Sequence, residues 1–267
     1  MQFGEVYNKK LKKISLIYLY ITYIKTITMY FNNVTIFTIY NHLNINDLFN
    51  CSLVNKQFNN IFNNDMLWRN IIIKKYIDVN ISEIQKQYNI IKLKYVYRII
   101  KDLLYLNNTL NLNKTIESLI NLQILDLNNN QLKEIPNEIG LLINLQTLFL
   151  QNNLLQKIPN EIGSLINLKE LYLYNNQLKE ISKEIGSLIN LQRLYLDNNQ
   201  LYEIPKEIGS LINLQILYLD DNQLKEIPKE IGSLINLQRL SLDGTQLKEI
   251  PRELYNLVNC IIKIEKI

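Results

Sequence analysis

Apolar and polar positions recur along the second half of the chain with a strict period of 23 residues. One copy, LQRLYLDNNQLYEIPKEIGSLIN, begins at Leu191, and six copies occupy residues 122–259. A fixed period in this range is typical of stacked supersecondary units that share a continuous core, because no single unit can bury its own apolar face. The pattern therefore predicts a solenoid that presents a long surface, and a long surface favours binding over catalysis.

Each copy opens with leucines that alternate with other residues, as from Leu194 to Leu196. A period of two predicts a short strand whose leucines point to one side and whose intervening residues point to the other. The strands of successive copies would pair in parallel, about 4.8 Å apart. Later apolar positions, such as Leu201, Ile204 and Ile208, would close the back of each coil.

The repeat frame LxxLxLxxNxLxxIPxxIGxLIN resembles the leucine-rich repeat. The resemblance implies that the asparagine at the ninth position points inward and bonds to backbone groups of the turn, with a surface turn asparagine as the alternative. The proline suits the start of a short helical segment, and Ser182 can cap that segment in the third copy. The single glycine is expected to allow close passage back to the next strand. The ninth-position residues are Asn130, Asn153, Asn176, Asn199, Asn222 and Thr245.

A second pattern precedes the repeats, in residues 31–70. Apolar residues from Ile36 to Leu43 recur at helical spacing, and the stretch from Asp65 to Trp68 closes the segment with Leu-Trp. This segment resembles the F-box, a small helical domain that docks on a Skp-type adaptor. The Leu-Pro start usual in that family is absent, and an unrelated helical cap is the alternative. The resemblance implies an adaptor-binding surface formed by Phe31, Leu43, Leu48, Val54, Lys56 and Phe58.

The predicted fold is an α/β protein. A small helical F-box domain precedes a leucine-rich-repeat solenoid with a parallel sheet on its concave face. Between the two, Ser82 and Gln85 form a predicted capping box, and LLYLNNTLNLNKTIESLIN fits the repeat frame with one residue deleted. The predicted divisions are an N-terminal lead (1–28), the F-box-like domain (29–70), a helical linker (71–102), a degenerate capping coil (103–121), six repeats (122–259) and an end strand (260–267).

The N-terminal lead imitates the charged and apolar regions of a signal peptide. Several lysines precede the apolar run ISLIYLYITYI. However, no small-residue cleavage site follows, Lys25 interrupts the pattern, and the run is too short to span a bilayer. We therefore expect neither secretion nor a membrane partner.

The residues between the strand leucines predict a binding surface for a target protein on the concave face. Four consecutive aromatic residues form a ladder with acidic neighbours late in the stack, and aromatic and arginine side chains are common anchors of interfaces. We expect these side chains to face solvent, and the acids favour a basic target. The alternative is that aromatic residues merely suit strand surfaces. The predicted target-binding residues are Phe149, Tyr172, Tyr174, Arg193, Tyr195, Asp197, Tyr218, Asp220, Arg239 and Asp243.

Composition narrows the classes of function. Basic residues exceed acidic ones by eight in residues 1–100, and acidic residues exceed basic ones by four in residues 101–267. This mild and scattered charge gives no support for nucleic-acid binding. Cys51 and Cys260 are the only cysteines, without the clusters that cap extracellular leucine-rich domains, which favours a reducing compartment, the cytoplasm or nucleus.

Candidate catalytic chemistry is scarce. A nucleophile–base pair would have to use His42, the single histidine, and no recognisable partner accompanies it. One histidine and two separated cysteines do not make a metal-ligand cluster. We therefore expect a protein that is not an enzyme and that needs no cofactor.

The two resemblances together imply a function. An F-box followed by leucine-rich repeats is similar to the substrate receptors of Skp–cullin–F-box ubiquitin ligases, which hold a target near another protein's catalytic centre. The expected partners are a Skp-type adaptor, the cullin ligase assembly and an unknown target protein. A leucine-rich-repeat scaffold and a decoy that occupies the adaptor are the alternatives, with a secreted receptor more remote.

Overall fold

A computed structural model of the protein describes residues 79–90 and 93–264, and also Asp65, Trp68, Arg69, Ile72, Ile73 and Tyr76. The chain divides into two compact units. The first comprises residues 1–77 with 92–94, and the second comprises residues 78–91 with 95–267.

The first unit contains the end of the predicted F-box. Trp68, from the predicted closing signature, is 2% exposed, and Ile72 is fully buried. Asp65 accepts a hydrogen bond at 3.1 Å from the backbone N–H of Leu93. The predicted adaptor-binding residues, and the lead at 1–28, lie outside the described residues.

Within residues 79–120, three helices precede the sheet. They are α1 (Ile81–Gln87), α2 (Leu93–Thr109) and α3 (Ile116–Ile120). The predicted capping box at Ser82 was wrong, because Asn80 caps α1 instead and accepts the N–H of Glu83 at 3.1 Å. An asparagine at this position satisfies one of the donors that a helix start leaves unpaired.

The predicted degenerate coil at 103–121 was wrong in its first half. α2 continues to Thr109, so this stretch forms no strand. Val96, Ile100, Leu103 and Leu106 are all fully buried at helical spacing. An LxxL pair fits a helix as well as a coil, and here the longer helical stripe decides the outcome.

The sheet has seven short parallel strands in sequence order, so each coil lies beside the next. Equivalent residues pair, as Leu171 pairs with Leu194, and the central leucine of each repeat strand is buried. The end strand predicted at the C-terminus is confirmed. The strands are β1 (Ile124–Asp126), β2 (Thr147–Phe149), β3 (Glu170–Tyr172), β4 (Arg193–Tyr195), β5 (Ile216–Tyr218), β6 (Arg239–Ser241) and β7 (Ile261–Lys263).

A short 3₁₀ helix closes the back of each repeat coil, as predicted, and it begins one residue after the repeat proline or, in the third coil, after Ser182. Ser182, which replaces proline in the third coil, accepts the N–H of Glu184 at 3.2 Å, so its predicted capping role is confirmed. The 3₁₀ helices are Asn137–Leu141, Asn160–Ser164, Lys183–Ser187, Lys206–Ser210, Lys229–Ser233 and Arg252–Asn256.

The repeated glycine sets how closely successive coils approach. A Cβ atom on Gly186 would lie 2.6 Å from the carbonyl oxygen of Glu207 in the next coil, which is a steric clash. Tyr255 occupies the same position in the sixth repeat and is 74% exposed, and in the described residues no further 3₁₀ helix follows it. The glycine therefore allows a close contact between neighbouring coils, rather than the predicted passage back to the next strand.

The inward asparagine ladder is also confirmed. Asn199 is buried, accepts the N–H of Leu178 at 3.0 Å and donates to the carbonyls of Leu173 and Leu196, each at 3.0 Å. It therefore fastens the turns of two adjacent coils. Asn130, in the first repeat, is exposed, so the predicted inward position was wrong there; its side-chain amide donates to the carbonyl of Asn128 at 3.0 Å.

Replacing Asn199 by Leu is expected to lower the free energy of unfolding by about 1–3 kcal/mol, because three buried backbone groups lose their partner. Asn130→Leu is the matched control, since it changes the same repeat position where the side chain is exposed, and it should change stability by less than about 0.5 kcal/mol. Chemical unfolding of both variants measures the difference. Equal effects would contradict the assigned role of the ladder.

A second asparagine ladder was missed in the sequence. The last residue of the repeat donates its amide to the carbonyl of the preceding coil, as Asn190 does to Ile166 at 2.8 Å. The recurrence of LIN at the repeat end was the available signal. The members are Asn144, Asn167, Asn190, Asn213 and Asn236, with distances of 2.7–2.9 Å.

Candidate binding surface on the concave face

The predicted aromatic ladder forms one continuous stripe. We call it the aromatic stripe: Phe149, Tyr172, Tyr195 and Tyr218, which pair in register on β2 to β5. The first three rings stack with centroid separations of 4.7 Å, and the last meets its neighbour edge-on at 5.3 Å. Parallel strands of equal register bring these side chains together, because each residue lies directly beside its equivalent in the next coil.

These side chains are less exposed to solvent than expected. All four residues are half-buried, because each ring covers part of the next. Such ring pairs contribute about 0.5–1.5 kcal/mol beyond their buried area. The aromatic stripe is therefore a preformed surface, and binding there would need little ordering of side chains.

Glu170 fixes the centre of the stripe. Its carboxylate accepts the hydroxyl of Tyr172 at 2.8 Å and forms an ion pair with Arg193. Burial raises the pKa of Tyr172, and the bond to Glu170 raises it further. Tyr172 therefore stays neutral and held in one orientation. Arg193, one of the predicted target-binding residues, is therefore already paired with an acidic side chain of the same protein.

The three acids beside the stripe differ in how far they are satisfied. Asp220 accepts the hydroxyl of Ser241 at 2.5 Å and the N–H of Asp243 at 3.0 Å. Asp243 forms an ion pair with Lys263. Asp197 instead has a buried carboxylate oxygen that no donor within the described part of the chain reaches. Burial raises the pKa of the Asp197 carboxyl.

Tyr174 lies in the same row, between Asp197 and Gln151. Gln151 also has a buried side-chain oxygen without a donor among the described residues. Buried acceptors without donors are rare in folded proteins and call for an explanation. Arg239, two strands beyond Arg193, is exposed. The predicted target-binding residues thus share one face, but only part of their charge is unpaired.

The described residues offer no cluster of side chains that could bind a metal ion. In the described ranges, no three histidine, cysteine or acidic residues come close enough to hold a metal ion. His42 and Cys51 lie outside those ranges. None of the described helices combines the length and apolar character needed to cross a membrane.

Comparison with known proteins finds two family models that match this chain. The family model for the leucine-rich repeat region matches residues 79–204 and 176–260, and the F-box-like model matches residues 34–74. A leucine-rich-repeat protein of Leptospira interrogans is 42% identical over 53% of this chain and 42% of its own, with a TM-score of 0.45. The plant peptide hormone receptor RGFR1, solved with RGF2, is 41% identical over 53% of this chain and 24% of its own, with a TM-score of 0.49. No curated protein matches the chain.

Proposed function

Since the chain belongs to the leucine-rich-repeat proteins and carries an F-box-like domain, we propose that it is the substrate receptor of a Skp–cullin–F-box type ubiquitin ligase. Domains of both kinds are typically binding modules. In this proposal the F-box-like domain docks on the adaptor, and the repeats hold a target protein. The receptor contributes proximity to chemistry done by another protein.

One observation carries the target-binding half of the proposal. The aromatic stripe offers four ordered rings side by side on an open sheet face. Aromatic side chains in ordered clusters dominate the binding energy of many interfaces. The surface that surrounds the stripe is polar and partly charged, as at Glu170 and Arg239, which suits a rim.

The unfilled acceptors favour a target with a donor-bearing side chain. Asp197 and Gln151 lie on either side of Tyr174, and each has one buried side-chain oxygen without a hydrogen-bond partner in the described part of the protein. The other carboxylate oxygen of Asp197 accepts the amide of Asn198 at 3.5 Å. A lysine or arginine of the target would supply them. Asp243 is already paired with Lys263, and both Ser241 and the N–H of Asp243 bond to Asp220, so we assign the basic residue to Asp197, which has an oxygen without a donor. This narrows the expected contact from three carboxylates to one.

The proposed partners and compartment follow from the same reading. We propose a Skp-type adaptor, the cullin assembly and a basic target segment, in the cytoplasm or nucleus. Two other functions are the alternatives. A scaffold would use the same surface to bind the target without an adaptor, and a decoy would bind the adaptor without delivering a target.

Purified full-length protein and a Skp-type adaptor are expected to co-elute in size-exclusion chromatography. Val54→Asp combined with Phe58→Ala should remove the complex, because both residues match the adaptor-facing positions of the F-box. Asn130→Leu, far along the chain, is the control and should leave the complex intact. Absence of a complex for the unmodified protein at tens of micromolar would favour the scaffold.

A further inference from the structure

A cleft lies along the outer edge of β1. Its volume is about 520 Å³, within the range of about 300–1,000 Å³ usual for ligand pockets. One wall is the loop that joins α2 to α3, with Leu110, Leu112 and Lys114, and the opposite wall is β1 with Ile124. Ile124 is 60% exposed, whereas the β-branched residues at the same position of the inner strands are only partly exposed.

The edge of β1 presents backbone groups without partners. Residues 123, 125 and 127 direct their hydrogen bonds to β2, as Leu127 does to the carbonyl of Phe149 at 2.9 Å. In a parallel ladder the alternate residues point the other way. The N–H and C=O groups of Ile124 and Asp126 therefore point into the cleft, where no backbone group of the described chain pairs with them.

The wall opposite β1 is held in place. The side chain of Asn107 accepts the N–H of Lys114 at 3.0 Å and donates to the carbonyl of the same residue at 3.1 Å. The N–H of Leu112 also bonds to the carbonyl of Asn107 at 2.9 Å. The cleft is therefore preformed, and a ligand entering it would not have to order the loop.

We propose that this cleft binds an extended segment of a partner protein as an additional strand, parallel to β1. Every inner strand of the sheet pairs with a parallel neighbour on both sides, and β1 offers the same backbone groups, those of Ile124 and Asp126, on its open side. Leu125 and Leu127 line the cleft as part of the core, with only 3% and 4% of their surface exposed. The matching chemistry is a peptide with apolar residues at alternate positions and free backbone N–H groups. Asp126 pairs with Phe149 and is therefore the first member of the row that contains the aromatic stripe, so the two surfaces adjoin. This inference is independent of adaptor binding.

The probe is a fluorescent synthetic peptide that copies residues 168–176, LKELYLYNN, which contains β3. Fluorescence anisotropy with the full-length protein should show saturable binding. By the pairing of the inner strands, the N–H groups of Leu171 and Leu173 would face β1. A peptide N-methylated at these two residues should bind at least tenfold more weakly.

A peptide N-methylated at Glu170 and Tyr172 is the matched control. In a peptide bound at β1, these two N–H groups would point away from β1. In a peptide bound at β7, the same two N–H groups would instead face β7. Its binding to the cleft should stay within about twofold of the unmodified peptide. If this control loses binding and the first peptide keeps it, the peptide adds at β7 and the proposal is overturned. Absence of saturable binding up to 1 mM (on the order of −4 kcal/mol) also overturns it.

A protein variant tests the same edge. Ile124→Pro removes an N–H that points into the cleft and leaves the bonds between β1 and β2 in place. It should weaken peptide binding at least tenfold, whereas Ile124→Val should have little effect. Thermal unfolding checks that both variants fold. If Ile124→Pro does not fold, the two N-methylated peptides still decide the matter on the unmodified protein.

Discussion

Leu196→Ala is expected to lower the free energy of unfolding by about 2–5 kcal/mol, the usual cost of truncating a buried leucine. Leu196 is fully buried, and its backbone joins adjacent coils, since its N–H donates to the carbonyl of Tyr218 at 2.9 Å. In a stacked repeat protein each coil supports its neighbours, so a cavity in the fourth coil weakens both sides. Denaturant unfolding measures the change.

Ile189→Ala is the matched control for that prediction. Ile189 is also aliphatic and lies in the same part of the stack, but it is 51% exposed. Its loss should change stability by no more than about 0.5 kcal/mol. If both variants unfold alike, the assigned register of inward and outward positions is incorrect.

The double change Tyr172→Ala and Tyr195→Ala is expected to abolish target capture and to leave the adaptor complex intact. The two rings form the stacked centre of the aromatic stripe, with centroids 4.7 Å apart. Their removal would take away the ordered apolar contact and release Glu170 from Tyr172. A modest loss of stability should accompany the change, because the rings are half-buried. Proximity labelling in cells, with the unmodified protein as reference, measures capture.

Two controls separate the stripe from other surfaces. Tyr105→Ala with Tyr202→Ala removes two tyrosines that are 54% and 49% exposed and lie outside the stripe, and it should leave the labelled proteins unchanged. Asp197→Asn should weaken capture, whereas Asp243→Asn should not, since Asp243 is paired with Lys263. Equal partner sets for the double tyrosine variant and the unmodified protein would place the target elsewhere.

The repeat made the sheet and its face predictable from the sequence. A strict period fixes the phase, so the inward position of Leu194, the ladder role of Asn199 and the neighbours of Tyr172 all follow once the strand is recognised. The prediction of structure was less accurate just before the first repeat, where the 23-residue period no longer holds. The LxxL spacing from Leu103 suits both a helix and a coil, and only packing decides between them.

The charges of the site were less predictable for a different reason. The sequence places Asp197, Asp220 and Asp243 in one row, but it does not tell which neighbours satisfy them. Ser241 and Lys263 lie 21 and 20 residues from their acidic partners, and their contacts depend on the stacking of coils. The sequence pattern therefore overstated the free negative charge, because Asp243 is paired with Lys263, whereas Asp197 and Asp220 have no cationic partner in the described part of the chain.

Target delivery is tested most directly by the recovery of cellular proteins on an immobilised Skp-type adaptor in the presence of this protein. One set of proteins should be recovered with the unmodified chain. The same set should be lost with Val54→Asp plus Phe58→Ala, which removes the receptor from the adaptor, and with Tyr172→Ala plus Tyr195→Ala, which keeps the receptor but empties the stripe. Recovery of the receptor on the adaptor, with no accompanying protein that depends on the two tyrosines, would contradict the proposed delivery of a target by the aromatic stripe.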